Sequence, residues 1–152
     1  MPPSWKVTQP KDDSEYFERM TKCIFTTGLN WGVVDKKWPD FRRAFRGFAL
    51  AKVAELSGAD IRALMKDSGI VRNEKKIGAT VNNAAEFLRI QEEFGSFRKY
   101  LDSFKRDEKR LQSDLQERFQ HLGAFTARMF LWTAGYELTP TAEEKKWMEE
   151  HR

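Results

Sequence analysis

The chain has 152 residues, enough for one domain with its own core, and 40% of them are hydrophobic and 13% aromatic. Its 27 basic and 23 acidic side chains leave a formal charge of +4, which by itself identifies no partner. The single cysteine excludes an internal disulfide and a zinc cage built from cysteines, and no stretch approaches the roughly 20 apolar residues of a membrane span. The segment Met1 to Lys11 is polar and lacks the apolar centre of a signal peptide, so we expect a cytoplasmic protein.

Prolines at positions 2, 3, 10, 39 and 140 leave the stretch 40–139 free of helix breakers. Ser14 is the expected N-cap of a first helix that ends at Gly28, and Pro39 is expected in the first turn of the next helix. Apolar residues at i, i+3 and i+4 predict further helices over 50–56, 59–66, 74–94, 96–104, 106–119, 124–135 and 141–150. No segment shows the period-two alternation of a strand. The sequence therefore predicts an all-α protein, with one helical domain over residues 1–152.

Basic side chains gather in two places, around positions 36–46 and 72–76. Clusters of this kind can neutralise the phosphates of a nucleic acid. They can equally be solvated helix faces, and charge alone does not separate the two interpretations. The members are Lys36, Lys37, Arg42, Arg43 and Arg46 in the first cluster and Arg72, Lys75 and Lys76 in the second.

A tight turn at Leu122-Gly123 separates two predicted helices and so predicts a helical hairpin. The first amides of the second helix, near Ala124, Phe125 and Thr126, would lack helical partners and form a phosphate site with the helix dipole. A glycine at 123 would let the phosphate backbone approach closely. An ordinary helix-capping glycine is the alternative. Similarly, His121 either donates to a phosphate or is a solvent-exposed turn residue.

Three segments together resemble the 3-methyladenine DNA glycosylase I family of helix-hairpin-helix glycosylases. The hairpin is similar to its L-x-x-L-G-x-x-T-A element, and the turn at residues 26–31 to its Q-A-G-L-S-W turn. Residues 64–84 resemble its signature L-x-x-D-x-G-I-I-R-x-x-x-K-I-x-A-x-x-x-N-A. This signature is matched at Asp67, Gly69, Ile70, Arg72, Lys76, Ile77, Ala79, Asn83 and Ala84. The resemblance spans about residues 17–135.

The resemblance implies that the protein kinks a DNA duplex, fills the gap with an apolar wedge and flips a damaged base into a pocket. Leu29, with Gly28, matches the wedge. Trp31 matches the pocket aromatic, whose indole face would attract a cationic methylated purine; core packing is the alternative for both apolar side chains. Arg72 and Lys76 lie four residues apart and would share a helix face if the helix includes both. Either could contact phosphates or serve a structural role by capping the neighbouring Asp67.

The chain departs from the family at three points. Cys23 stands where the family has a pocket glutamate that reads the edge of the base, and it is interpreted as an inert buried thiol rather than a nucleophile. The family binds zinc through cysteines and histidines, but Cys23, His121 and His151 match no ligand position, so no zinc site and no cofactor are expected. The superfamily's catalytic aspartate is also missing. Asp35 and Glu137 are the remaining candidates, because Glu18 should point away from Cys23, about 140° around the same helix.

Three functions stay open from the sequence. The first is a base-excision repair glycosylase that acts on an alkylated purine such as 3-methyladenine. The second is a protein of the same fold that binds lesions without turnover. The third is a helical interaction module that no longer binds DNA. For the first two, we expect damaged double-stranded DNA as the partner, no membrane association and a monomeric protein.

Overall fold

The computed structural model describes residues 7–151 and consists of helices and connecting turns over that range. Its helices are α1 (Asp13–Thr26), α2 (Trp31–Ala44), α3 (Leu50–Ala54), α4 (Gly58–Leu64), α5 (Glu74–Phe94), α6 (Phe97–Asp102), α7 (Glu108–Arg118), α8 (Ala124–Thr133) and α9 (Ala142–Glu150). A 3₁₀ turn at Arg46–Phe48 joins α2 to α3. The all-α prediction is confirmed. The expectation that Met1 to Lys11 is no signal peptide concerns, in part, residues 1–6, which lie outside the described residues.

Most helices begin with a side chain that accepts a hydrogen bond from the first turn. Such an acceptor satisfies one of the four amides that a helix start leaves without partners. Among the α-helices, α3 and α8 lack it, since their N-caps are Ala49 and Gly123. The capping residues of the other helices are Asp12, Asn30, Ser57, Asn73, Ser96, Asp107 and Thr141. The bare start of α8 is therefore an exception within this protein.

Two expected helix starts are wrong. The cap of α1 is Asp12 rather than Ser14, because the Asp12 carboxylate accepts the Glu15 amide at 2.9 Å. The second helix starts at Trp31, eight positions before Pro39, which lies inside it. Asn30 sets this earlier start, since its side-chain oxygen accepts the Gly32 amide at 2.8 Å. The exposed proline is tolerated within α2, although it has no amide hydrogen to continue the helical hydrogen-bond pattern there.

The core is built around α1, which packs against α2, α5, α6 and α8. Phe17 of α1 is fully buried and meets Phe48 and Phe87 edge to face, with ring centroids 5.7 and 5.6 Å away. Each such buried aromatic stabilises the fold by about 1.5–3 kcal/mol through removal of apolar surface from water. The candidate site lies where the end of α1 meets the start of α8, a helix that also packs against α1.

Candidate nucleic-acid interface and base site

The turn between α1 and α2 presents Leu29 to solvent. Gly28 adopts φ +80°, a left-handed conformation that favours glycine, and the Leu29 amide donates to the Thr26 carbonyl at 3.0 Å. The tight turn leaves the Leu29 side chain 40% exposed at its tip. The structure thus places the predicted wedge residues on the surface, where an apolar side chain has no role in the core.

The hairpin between α7 and α8 is held in place by a buried amide of α5. Asn83 accepts the Gln120 amide at 2.8 Å through Oδ1 and donates to the Gln120 carbonyl at 3.1 Å through Nδ2. His121 follows in a left-handed conformation with φ +57°, and its ring is exposed. Asn83 therefore fixes the approach to the hairpin, and His121 lies at its outer corner as a phosphate donor would.

The start of α8 is open in the way that the phosphate-site prediction requires. Gly123 and Ala124 are exposed, and a Cβ added to Gly123 would meet no atom within 4 Å. The first helical backbone bond at this end is donated by Ala127, to the Gly123 carbonyl at 2.9 Å. Leu122, in contrast, is buried, so its side chain belongs to the core and only its main chain remains available for the predicted DNA contact.

The wedge turn and the hairpin meet through two threonines. The Thr27 and Thr126 hydroxyl oxygens lie 3.1 Å apart in a hydrogen bond, which ties the end of α1 to the start of α8. Lys76 joins them from α5 because its ammonium group donates to the Thr27 carbonyl at 2.8 Å. Partial burial lowers the pKa of Lys76. Three segments that are distant in the sequence therefore form one surface.

Arg72 lies just before α5 rather than within it. Asn73 caps α5 by accepting the Lys76 amide at 3.1 Å, so Arg72 belongs to the preceding loop and is exposed. The helix therefore does not include both residues, and the condition for a shared helix face is not met. Asp67 forms a local turn by accepting the Gly69 amide at 2.8 Å.

Cys23 is fully buried one turn before the end of α1. Its thiol is hydrogen bonded with Thr133 of α8, and burial raises its pKa from 9.0 to about 12. A buried, uncharged thiol is a poor nucleophile and lines no open cleft. The interpretation as an inert thiol agrees with this placement, whereas the assignment of Cys23 to the wall of an open base pocket does not.

Trp31 and Asp35 lie one helical turn apart at the start of α2. Trp31 is half-buried and packs against the core. Asp35 forms an ion pair with Lys22 of α1, with Oδ1 and Nζ 2.5 Å apart, and Lys22 directly precedes Cys23 in the chain. The fold thus brings the candidate acid Asp35 and the candidate pocket aromatic to the start of α2, with Lys22 of α1 paired to Asp35, whereas Cys23 meets Thr133 of α8. Lys22 is the member of this group that sequence reasoning missed.

The other candidate acid, Glu137, lies elsewhere. It follows α8 and lines a separate depression with Arg106 and Tyr136. Its main-chain carbonyl accepts a hydrogen bond from the Arg106 guanidinium at 2.5 Å. Of the two candidates, Asp35 is therefore the one placed with Trp31.

Glu18 lines a cleft of about 680 Å³ between α1 and α2, with Lys22 and Thr133 among its other walls. Its carboxylate accepts the indole N–H of Trp38 at 2.8 Å and pairs with Arg42 at 2.5 Å. The four-residue spacings of Glu18 with Lys22 and of Trp38 with Arg42 place each pair on one face of its own helix, but no signal in the sequence indicates that these two faces meet. The cleft lies roughly one and a half to two and a half turns along α1 from the wedge turn, about 8–14 Å at 1.5 Å per residue.

The cysteine and the two histidines do not gather into a zinc site. Cys23 is enclosed beside Thr133, His121 is exposed in the hairpin, and His151 stacks on Trp147 of α9 with ring centroids 4.2 Å apart. Within residues 7–151, no three His, Cys, Asp or Glu side chains are grouped so that they could hold a metal ion. These residues do not fit the zinc site that the resemblance implies.

An all-helical chain with an uncapped hairpin beside an exposed apolar turn defines a helix-hairpin-helix protein. The chain belongs to the methyladenine glycosylase family, whose model matches residues 3–128. The resemblance inferred from its motifs is thereby confirmed.

Among its relatives, DNA-3-methyladenine glycosylase of Haemophilus influenzae is 33% identical over 93 residues, which cover 61% of this chain and 50% of that protein. DNA-3-methyladenine glycosylase 1 of Escherichia coli is 32% identical over 100 residues, which cover 66% and 53%. The chain thus spans about half the length of these curated relatives. A structure of 3-methyladenine DNA glycosylase I from Staphylococcus aureus superposes with a TM-score of 0.79 at 28% identity, over 93% of this chain and 87% of that one.

None of the described helices is long and apolar enough to cross a membrane.

Proposed function

We propose that the protein is a DNA glycosylase of base-excision repair that hydrolyses the N-glycosidic bond of an alkylated purine such as 3-methyladenine. Its family membership and its likeness to the Staphylococcus aureus enzyme, whose recognition of 3-methyladenine that structure describes, support the proposal. The observation that carries it is the Thr27–Thr126 contact. That contact sets the wedge turn against the bare helix start, so one surface offers both a phosphate site and a side chain to replace a flipped base.

In this proposal, the main-chain amides of the hairpin bind a DNA phosphate, with Lys76 and Arg72 supplying positive charge nearby. Leu29 enters the duplex where the damaged nucleotide has been turned out. The side chain of Leu29 would compensate part of the lost base stacking. The protein is proposed to act in this way on double-stranded DNA as a monomer.

The chemical step demands little of the protein when the base is already cationic. The C1′–N bond breaks with its electron pair going to the methylated purine, which leaves as a neutral base. Water adds to the cationic sugar carbon and loses its proton to a carboxylate. We assign that carboxylate to Asp35, because of the two candidate acids it is the one that lies one helical turn from Trp31, where its ion pair with Lys22 holds it in place. Base selection then depends on stacking against Trp31, since the buried Cys23 thiol carries no charge at neutral pH.

The test is release of free base from duplex DNA that has been treated with a methylating agent, followed by chromatography of the supernatant. Wild-type protein should release 3-methyladenine. Asp35→Asn should lower kcat roughly 100-fold, in the range of general acid–base effects, and Trp31→Ala should chiefly raise KM. Asp40→Asn is the matched control, because Asp40 also lies on α2 but pairs with Arg43 on the exposed face.

Tight binding of methylated duplex without any release by the wild-type protein would overturn the catalytic proposal and leave a lesion-binding protein. Full release by Asp35→Asn would overturn only the assignment of the acid. Thermal unfolding of each variant shows whether the loss of the Lys22–Asp35 pair has disturbed the fold instead.

A further inference from the structure

The described residues include six large apolar side chains that are more than a third exposed: Val7, Leu29, Val33, Phe125, Trp147 and Met148. Two of them border the candidate interface at the wedge turn, Leu29 at 40% and Val33 at 46% exposure. A third, Phe125, is 64% exposed on the hairpin side of the same surface. Single exposed apolar residues are ordinary, but their concentration beside a phosphate site indicates a partner surface.

Phe125 is the second residue of α8, directly after the bare helix start. Its neighbour Thr126 points inward to Thr27, which leaves the phenyl ring of Phe125 on the outer side. Leu29 lies two residues beyond Thr27. At 3.8 Å between consecutive Cα atoms, and with the two threonine hydroxyls 3.1 Å apart, the Cα atoms of Leu29 and Phe125 are therefore at most about 19 Å apart. A duplex rises 3.4 Å per base pair, so both side chains fall within about six base pairs.

We propose that Phe125 is a second DNA-contacting residue, which packs its ring against an unstacked base of the strand whose phosphate the hairpin binds. The inference rests on the proposed function. Neighbouring nucleotides are only a few ångströms from that phosphate, within reach of a side chain two positions from Gly123. An aromatic ring also stacks on any base, so it suits a protein that must engage damage regardless of sequence. Leu29 and Phe125 would then hold the distorted duplex from two sides.

The test measures affinity for a duplex that carries a tetrahydrofuran abasic-site analogue, by fluorescence anisotropy at several salt concentrations. Phe125→Ala should weaken binding roughly tenfold, in line with the loss of one base–aromatic stack. The slope of affinity against salt should not change, because no phosphate contact is lost. Phe125→Trp should retain the affinity. The matched control is Trp147→Ala, which removes another aromatic ring of similar exposure, 60%, from α9.

Binding by Phe125→Ala equal to that of the wild type would overturn this inference while leaving the glycosylase proposal intact. A shallower salt slope would also overturn it, since the ring would then act only by positioning the phosphate site. If the wild-type protein itself fails to bind the duplex, the proposed function fails, and the inference with it. Phe125 is exposed, so its substitutions should change the free energy of unfolding by less than about 0.5 kcal/mol. The Tm of each variant should therefore lie within about 2 °C of the wild-type value.

Discussion

Replacement of Gly123 by valine should separate DNA binding from folding. Gly123 adopts φ −77° and ψ −179°, extended backbone that any residue accepts, and an added Cβ would meet nothing within 4 Å. The change should therefore lower the free energy of unfolding by less than about 1 kcal/mol, the scale of N-cap substitutions. The new side chain would instead occupy the space through which a phosphate reaches the amides of α8.

The loss of affinity follows from the bonds that are broken. A hydrogen bond to a charged group contributes about 1.5–3 kcal/mol, and about 1.4 kcal/mol corresponds to a factor of ten in affinity. If one amide–phosphate bond is lost, binding should weaken roughly 10- to 100-fold.

Anisotropy titrations with the abasic-analogue duplex, in parallel with urea unfolding, measure both effects. Gly58→Val is the control, because Gly58 also begins a helix, where its Cβ would meet only the flexible end of Arg62 at 3.5 Å. Unchanged DNA affinity in Gly123→Val would refute the phosphate site. A loss of more than about 2 kcal/mol in stability would refute the open geometry around Gly123.

Three further changes test other parts of the structure. Burial raises the pKa of Cys23 from 9.0 to about 12, so this thiol ionises first in the unfolded chain and the free energy of unfolding of the wild type should fall as pH rises above 9. In urea unfolding between pH 8 and 10.5, the fall for Cys23→Ala should be shallower than that of the wild type by up to about 1.4 kcal/mol per pH unit. Parallel curves for the two proteins would contradict this prediction. Asn83→Ala should lower the free energy of unfolding by about 1–3 kcal/mol, because the main-chain amide and carbonyl of Gln120 both lose their hydrogen-bond partner. A change under roughly 0.5 kcal/mol would show that the hairpin does not need this anchor. Gly78→Ala should raise the free energy of unfolding by about 0.5–1 kcal/mol, since Gly78 lies inside α5 with open space around its Cβ, and thermal unfolding that shows no gain would argue against that open space.

Local patterns determined much of the fold. The expected helix over 74–94 matches α5 at both ends, because its apolar periodicity lies between a capping asparagine and Gly95, which ends it with φ +93°. The bare start of α8 was also readable, since a glycine directly before a helix supplies no capping side chain. The exposed turn at Leu29 was predicted through the family resemblance rather than from periodicity, which would assign a leucine to the core. Pro39 was misplaced because proline's usual position at a helix start outweighed the weaker capping signal of Asn30.

The sequence by itself determined which residues form helices, where caps and turns end them, and which family motifs they carry, because these depend on neighbours within a few positions. Only the tertiary structure decided which helix faces meet. It joined Thr27 to Thr126 and Lys22 to Asp35, and it enclosed Cys23 against Thr133. The physical reason is that an apolar stripe specifies that a helix face will be covered, whereas the covering element is selected by the packing of the whole chain.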